Sequence, residues 1–214
     1  MIDNATHYYI VRHGKSEGNA QNIIQGHTES PLSTIGELQA KELGNSLRNV
    51  PFDLAYSSDL IRTKRTAEIV LLERSLAVNT TKLLREHNMG TWERRNTDEW
   101  REKNKELLER YETLSEDEKW KARIPDGVEN DEEVSLRLMR FLRETAVTYP
   151  GRNVLVATHG GVMRCLLVRL GYGTHAELPI GSVENAGLIR VDTDGVEFEI
   201  VETRGVTAKR KPGD

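Results

Sequence analysis

The sequence is poor in the features that build disulfide-linked, metal-clustered or membrane-embedded proteins. Cys165 is the only cysteine in 214 residues, so neither an intrachain disulfide nor a cysteine metal cluster is expected. Its apolar neighbours indicate a buried thiol that serves packing. No run approaches the ~18 consecutive apolar residues of a transmembrane helix. Residues 1–4 lack the basic and apolar parts of a signal peptide, which predicts a cytoplasmic protein.

The sequence also lacks a strong excess of one charge. The formal net charge is −4, which argues against nucleic acid or a membrane surface as a general partner. The length of 214 residues favours one domain with a substantial core. We expect this domain to span 1–206 and to be followed by a flexible basic tail over 207–214. No pattern specifies the oligomeric state, and a homodimer is left open.

The remaining patterns predict strands that alternate with helices. Apolar runs predict strands over 7–11, 53–56, 77–84, 153–158, 187–192 and 197–203. Apolar stripes predict helices over 34–48, 60–72, 132–148 and 161–170. A capping box begins at Thr34, and Asp59 and Asp131 are expected N-caps. This order predicts an α/β fold with a mainly parallel central sheet flanked by helices, and an antiparallel hairpin at one edge.

A change of composition marks a segment over about 93–128. Charged residues dominate there, with tryptophan, leucine and tyrosine interspersed. We interpret this segment as a helical insertion that lies over the main body. Arg94 and Arg95 either hold a second anionic group of a substrate or form a solvated turn.

Several ionisable residues follow predicted strands, at the edge of the sheet where α/β proteins bind ligands. Arg12 and His13 precede Gly14 at the end of the first strand, and His159 precedes Gly160 at the end of another. Arg62 falls in the first turn of the helix that follows the predicted strand over 53–56, and Glu86 follows the predicted strand over 77–84. Because these residues follow strands at the same edge of the predicted sheet, we predict that they form one site, made of Arg12, His13, Arg62, Glu86 and His159.

These residue types suit phosphoryl transfer. Arginine presents donors that match phosphate oxygens, a neutral histidine can attack phosphorus, and a protonated one can stabilise the equatorial oxygens. A carboxylic acid can protonate the leaving oxygen and then activate water. Phosphoryl transfer needs mostly positioning and charge neutralisation. Since no His-Glu-x-x-His pattern occurs, we expect no metal and no other cofactor.

The chain resembles the histidine phosphatase superfamily, which has the phosphoglycerate-mutase-like fold, over nearly its whole length. The matching segments are Val11-Arg12-His13-Gly14 with Ser16 and Asn19, Pro31-Leu32-Ser33-Thr34-Ile35-Gly36, Ser57-Ser58-Asp59-Leu60-Ile61-Arg62-Thr63 with Thr66-Ala67, Arg85-Glu86 with Gly90 and Trp92-Glu93, and Ala157-Thr158-His159-Gly160-Gly161. The resemblance implies that His13 is the phosphorylated nucleophile and Glu86 the proton donor. It places Arg12, Arg62 and His159 around the phosphate.

The resemblance also implies residues that contact the substrate. They are Lys15, Asn19, Gln25, Gly26 and Gly160. Lys15 is unusual, because the broad-specificity phosphatases of the family more often carry Glu or Gln there. The charge preference for the substrate therefore stays open. His7, His27, His87 and His175 have no comparable setting, and we assign them to the surface or to packing.

Departures from the family's mutases favour a phosphatase. Met89, Thr97 and Gly161 stand where the mutases carry tyrosine, lysine and asparagine. We therefore expect a metal-independent phosphatase that acts on a small phosphorylated metabolite through a phosphohistidine. The alternatives are a phosphoglycerate mutase and a catalytically silent binding module of the same fold. The complete set of five site residues argues against the silent module.

Overall fold

A computed structural model of the chain describes residues 2, 4–71, 74–125 and 127–209. The strands are β1 (Thr6–Arg12), β2 (Leu54–Ser58), β3 (Val78–Thr81), β4 (Asn153–Thr158), β5 (Val183–Thr193) and β6 (Phe198–Val206). The α-helices are α1 (Glu17–Ala20), α2 (Thr34–Ser46), α3 (Ile61–Val70), α4 (Thr97–Lys103), α5 (Lys105–Glu112), α6 (Glu116–Lys121), α7 (Asp131–Thr148) and α8 (Gly160–Arg169). This order confirms the predicted α/β class.

The strands form one six-stranded sheet in the order β3-β2-β4-β1-β5-β6. β1, β2, β3 and β4 pair in parallel, whereas β5 and β6 pair antiparallel at one edge, as predicted. β1 lies between β4 and β5, with Val11 opposite Ala157 on one side and Leu188 on the other. The carboxyl ends of β1, β2 and β4 therefore meet at one edge of the sheet, where ligands bind in such folds.

Alternating residues of the central strands fill a core on each face of the sheet. Tyr8 and Ile10 of β1 pack in the cluster that includes apolar residues of α7 and α8. Val11 and Leu155 face the opposite cluster with α2 and α3. Side chains alternate across a strand, so burial on both faces requires a continuous apolar run, and each fully buried large side chain contributes ~1.5–3 kcal/mol. Packing on both faces thus holds the central strands in place, and with them the residues at the ends of the strands.

Several local expectations were wrong. The third strand ends at Thr81, and a 3₁₀ turn over Lys82–Leu84 follows because the Thr81 hydroxyl accepts a hydrogen bond from the Leu83 amide. Asp59 does not cap α3; its carboxylate binds the guanidinium of Arg85 instead.

Two other helix starts differ from the prediction, and α1 was not predicted. The N-cap of α2 is Ser33, whose hydroxyl accepts from the Gly36 amide. The N-cap of α7 is Asn130, which leaves Asp131 free for side-chain contacts. The predicted helix end at residue 72 lies outside the described residues.

The predicted insertion contains three short helices, α4, α5 and α6. It is joined to the body by a bond from the Thr97 amide to the Asn22 carbonyl and by the Glu116 carboxylate, which accepts from His175. At the other end, Thr207 and Lys209 bond to the body through their amides, while the predicted tail over 210–214 lies outside the described residues. Within the described ranges, no helix combines the length and apolar character needed to cross a bilayer.

Candidate active site

The first component of the site is the segment that follows β1. Its parallel pairing with β4 continues one residue past the strand, as the His13 amide donates to the Thr158 carbonyl. The Gly14 amide then donates to the Thr66 hydroxyl of α3. These bonds hold the backbone on both sides of the His13 side chain, which is 3% exposed.

The hydrogen bonding of His13 defines which ring nitrogen is free to react. Nδ1 lies 2.8 Å from the Gly14 carbonyl oxygen. A carbonyl only accepts, so Nδ1 carries the hydrogen and Nε2 of the neutral ring carries the lone pair. Burial, together with the charges of Arg62 and Arg12, holds the pKa of His13 well below its usual value. His13 is therefore neutral at physiological pH, with the lone pair of its ring on Nε2.

His159 lies beside His13, where β4 passes into α8. The two ring centroids are 5.2 Å apart and the rings are steeply inclined. Burial and the Arg62 charge hold the pKa of His159 well below its usual value, while Glu86 opposes this shift. A dianionic phosphate would favour the imidazolium form, so protonation of His159 is coupled to anion binding.

Two arginines lie with His159 around His13. We call the group of Arg12, Arg62 and His159 the cationic wall. Arg62 stands in the first turn of α3 and is 1% exposed; its Nη1 and Nη2 donate to the carbonyls of Thr28 and Gly26. Burial lowers the pKa of Arg62 to about 10, so it stays a cation at neutral pH. Arg12 donates through Nη1 to the Val183 carbonyl. These bonds fix both guanidinium planes and leave other N–H groups of each free.

Several buried nitrogens of this wall have no protein acceptor. Arg12 Nε, Arg62 Nε and both ring nitrogens of His159 form no hydrogen bond within the described part of the chain. Buried donors are normally satisfied, and an unpaired one costs ~1–3 kcal/mol. Gly160 keeps the approach close, because a Cβ atom there would lie 3.0 Å from Arg12 Nε. The arrangement suits an anion with several oxygen acceptors, such as phosphate.

Glu86 faces this wall from the segment after β3. One carboxylate oxygen, Oε2, accepts from the Gly161 amide in the first turn of α8 at 3.1 Å. The other, Oε1, accepts from the amide and from Nδ1 of His87 at 3.0 and 3.1 Å. A side chain at position 161 would disrupt this arrangement, because its Cβ would lie 2.5 Å from Oε1. Gly161 thus permits the close contact between Glu86, His87 and the helix start.

Glu86 is ionised in this structure. Burial alone would raise the pKa of its carboxyl group, but the hydrogen bond and charge of His87 hold the pKa well below its usual value. His87 shows the opposite shift: burial lowers its pKa, yet hydrogen bonds to Asp131, Cys165 and Glu86 hold the pKa well above its usual value. The two residues form an ion pair that carries one exchangeable proton.

The other predicted binding residues belong mainly to the loop after His13. Asn19 Oδ1 accepts from the amide of Ser16, which caps the short helix α1. Gln25 Oε1 accepts from the Ser16 hydroxyl at 2.8 Å, and Gly26 offers its carbonyl to Arg62. The half-buried Lys15 donates its amide to Gln39. The structure therefore connects this loop to Arg62, while substrate contact by these residues stays a prediction.

Residues outside the predicted set also touch the site. Asn185, from β5, donates from Nδ2 to the His13 carbonyl at 3.1 Å. His87 was assigned to surface or packing, yet it contacts Glu86. The adjacency of His87 to Glu86 in sequence was the available signal for it, whereas the Asn185 contact depends on sheet pairing. Arg94 and Arg95 are both exposed.

A group of side chains of types that can bind a metal lies behind Glu86. His87, Asp131 and Cys165 each offer a ligand atom, and these atoms lie within 4.8 Å of one another. His87 Nε2 already bonds to Asp131, and Arg164 bonds to the same carboxylate. Burial raises the pKa of the Cys165 thiol to about 11, which disfavours the thiolate that metals require. These groups are engaged with one another, and metal independence stays a prediction.

The strand order and the sites at the ends of β1 and β4 define a phosphoglycerate-mutase-like fold. The profile of the histidine phosphatase superfamily (branch 1) matches residues 8–204. The chain belongs to the histidine phosphatase superfamily.

Named relatives within this family differ in activity. The chain is 34% identical over 193 residues to the "Probable phosphoglycerate mutase GpmB" of Photorhabdus laumondii, covering 86% of this chain and 83% of the relative. It is also 34% identical over 162 residues to the "Adenosylcobalamin/alpha-ribazole phosphatase" of Escherichia coli, covering 76% and 77%. The solved structure of Bacillus stearothermophilus YhfR superposes with a TM-score of 0.82 at 26% identity, covering 95% of this chain and 98% of that one.

Proposed function

We propose that the protein is a metal-independent phosphatase that hydrolyses small phosphate monoesters through a phosphohistidine on His13. The observation that carries the proposal is the set of unpaired buried nitrogens of Arg12, Arg62 and His159 beside the free Nε2 of His13. Fixed donors aimed at a dianion stabilise the charge that develops in phosphoryl transfer. Glu86 stands at the same place with a carboxylate that can exchange a proton.

The reaction would have two steps. In the first, His13 Nε2 attacks phosphorus, the bond to the leaving oxygen breaks, and a proton passes through Glu86 to that oxygen. In the second, water attacks the phosphohistidine, its proton passes to Glu86, and inorganic phosphate leaves. Arg12, Arg62 and His159 hold the phosphoryl oxygens throughout.

Turnover of an aryl phosphate tests the proposal against a silent binding module. Release of the phenol with inorganic phosphate would support catalysis, and quenching during turnover should yield an acid-labile phosphohistidine. Binding of phosphate without any release of phenol would favour the silent module instead. A panel of phosphorylated metabolites would then rank the substrates.

Activity is expected to survive exhaustive chelation, because the cationic side chains already supply the charge neutralisation that a metal provides elsewhere. Vanadate should inhibit, since it mimics pentacoordinate phosphorus. The measurement is the rate of aryl phosphate hydrolysis before and after dialysis against EDTA. Activity that is lost on chelation and restored by a divalent ion would refute metal independence.

Hydrolysis is expected to outrun isomerisation, although one relative is named a probable mutase. Met89, Thr97 and Gly161 replace the tyrosine, lysine and asparagine of the family's mutases, and a side chain at 161 would collide with Glu86. Incubation with 3-phosphoglycerate and a bisphosphoglycerate primer should release inorganic phosphate and form little 2-phosphoglycerate. Rapid formation of 2-phosphoglycerate would place the chain among the mutases.

A further inference from the structure

We propose that His87 is a positioning residue that holds the proton which Glu86 delivers to the leaving group, with Asp131 as the anchor of its ring. The inference rests on the proposed function, because it assigns a partner to the proposed proton donor. It also replaces the expectation that His87 serves only the surface or packing.

The ring of His87 lies between two carboxylates. Nδ1 is 3.1 Å from Glu86 Oε1, and Nε2 is 2.9 Å from Asp131 Oδ1. Ionised carboxylates only accept hydrogen bonds, and only the imidazolium carries a hydrogen on both nitrogens. A neutral ring would direct a lone pair at one of the carboxylates. The geometry therefore favours a proton that stays on His87 while the site is at rest.

Asp131 is held in place on its other oxygen. Its Oδ2 accepts from Arg164 Nη1 of α8 and lies 3.4 Å from His175 Nε2. Asp131 is the first residue of α7, since Asn130 provides the cap. The nearby His175, the hydrogen bond from His87 and the charge of Arg164 outweigh burial and keep the pKa of Asp131 well below its usual value. An ionised Asp131 thus stabilises the imidazolium of His87.

Groups on every neighbouring element bear on the titration of this pair. Besides Glu86, the titratable and charged groups near His87 are Tyr111 of α5, Asp131 and Arg137 of α7, His159 at the start of α8, Arg164 and Cys165 of α8, and His175 after α8. Asp131 and Glu86 are the groups within direct hydrogen-bond distance of the ring nitrogens. The Cys165 sulfur is 3.9 Å from Nε2, at the limit of a weak contact. The two carboxylates therefore dominate the protonation of His87.

The glycine at position 161 provides the space that this contact needs. A Cβ atom there would lie 2.7 Å from His87 Nδ1, closer than packed atoms tolerate. The amide of Gly161 meanwhile donates to Glu86 Oε2. The start of α8 is thus shaped around the Glu86–His87 pair, and this shape does not depend on any assignment of protons.

The proton balance of both steps follows from this pair. At rest, Glu86 is a carboxylate and His87 an imidazolium. As the phosphorus–oxygen bond breaks, the Nδ1 proton of His87 passes to Glu86 and from Glu86 to the leaving oxygen. His87 then becomes neutral and Glu86 stays ionised. When water attacks the phosphohistidine, its proton passes through Glu86 to His87, and the resting pair is restored.

The test is the pH dependence of kcat/KM for an alkyl phosphate in His87→Gln. The wild-type pair loses its proton only as pH rises through the raised pKa of His87. In the variant, Glu86 alone holds the proton and releases it at lower pH. The alkaline limb should therefore shift toward acid by about one to three pH units. An aryl phosphate, whose leaving oxygen needs little protonation, should show a much smaller shift.

His7→Gln is the matched control. His7 Nδ1 pairs with Asp192 at 2.9 Å, at the opposite end of β1, so the same substitution there should leave the pH profile unchanged. Asp131→Asn should shift the alkaline limb in the same direction as His87→Gln, because it removes the anchor of the imidazolium. Because the wild type and all variants are measured with the same substrate, the ionisation of the substrate affects every pH profile equally and does not change the shift between them.

Nitrogen-15 NMR of the wild-type imidazole gives a second test that does not depend on turnover. Both ring nitrogens of His87 should be protonated at neutral pH, with signals identified by comparison with His87→Gln or Asp131→Asn. A neutral ring, or a folded His87→Gln with an unmoved alkaline limb, would overturn the proposal. Absence of wild-type turnover on both ester types would instead refute the phosphatase function, and the NMR result would still decide where the proton lies.

Discussion

His13→Ala is expected to lose turnover by about 10⁴-fold or more, because it removes the atom that forms the covalent intermediate. The side chain is buried, and its Nδ1 bond to Gly14 directs Nε2 toward the cationic wall. No other described histidine beside this wall is placed to substitute, since His159 is held at the start of the neighbouring helix. The measurement is the rate of aryl phosphate hydrolysis, with circular dichroism to verify folding.

His7→Ala serves as the control for the His13 variant. It deletes a histidine from β1, the strand that precedes His13, at the end remote from the site, where His7 pairs with Asp192. This variant should keep the wild-type rate and form the phosphohistidine, whereas His13→Ala should form none. A folded His13→Ala that retains more than about a hundredth of the wild-type rate would show that the covalent route does not pass through His13.

Glu86→Gln is expected to lower the rate for alkyl phosphates by about 10²–10⁴-fold, the usual contribution of general acid–base catalysis. The amide keeps the shape of the carboxyl group but transfers no proton. Aryl phosphates should lose less, because a phenolate leaves without protonation. Dephosphorylation should also slow, so acid-labile phosphohistidine should accumulate during turnover. The measurements are rates across a series of leaving groups and the amount of trapped intermediate.

Glu17→Gln is the control for the Glu86 variant, because Glu17 is an exposed carboxylate on the nearby α1. It should leave both the leaving-group dependence and the level of intermediate unchanged. Equal losses for alkyl and aryl esters in Glu86→Gln, without trapped intermediate, would contradict a proton-transfer role. Glu93, whose carboxylate accepts from the His27 and Met89 amides, would then be the next carboxylate to test.

The fold was readable from the sequence where one local pattern determined one element. The apolar run over 153–158 is buried on both faces in the middle of a parallel sheet, and the strand is found at Asn153–Thr158. The third strand was read too long because Leu83 and Leu84 continue an apolar pattern, although their backbone turns after Thr81. The start of α7 was predicted one residue late because two capping residues, Asn130 and Asp131, adjoin there.

The same distinction holds for the site, where some contacts follow from local sequence patterns and others do not. Arg12, His13 and His159 follow strands that are adjacent in the sheet, so strand order was enough to bring them together. The contact of His87 with Asp131 joins a loop to a helix start that no local pattern relates. Gly161 was interpreted only as the loss of an asparagine, whereas the structure shows that a side chain there would meet Glu86 and His87. Tertiary contacts of this kind have no periodic signature in the sequence.

The position of β1 in the centre of the sheet has a consequence for how the protein is made. His13 is made well before both strands that pair with β1, because β4 and β5 follow it in the chain. Until β4 and β5 emerge, the nascent chain carries an apolar strand with two unpaired edges, and His13 lacks its neighbour His159. The site therefore assembles only after β4 and β5 have been made, and folding depends on late, long-range pairing that is slow and sensitive to aggregation.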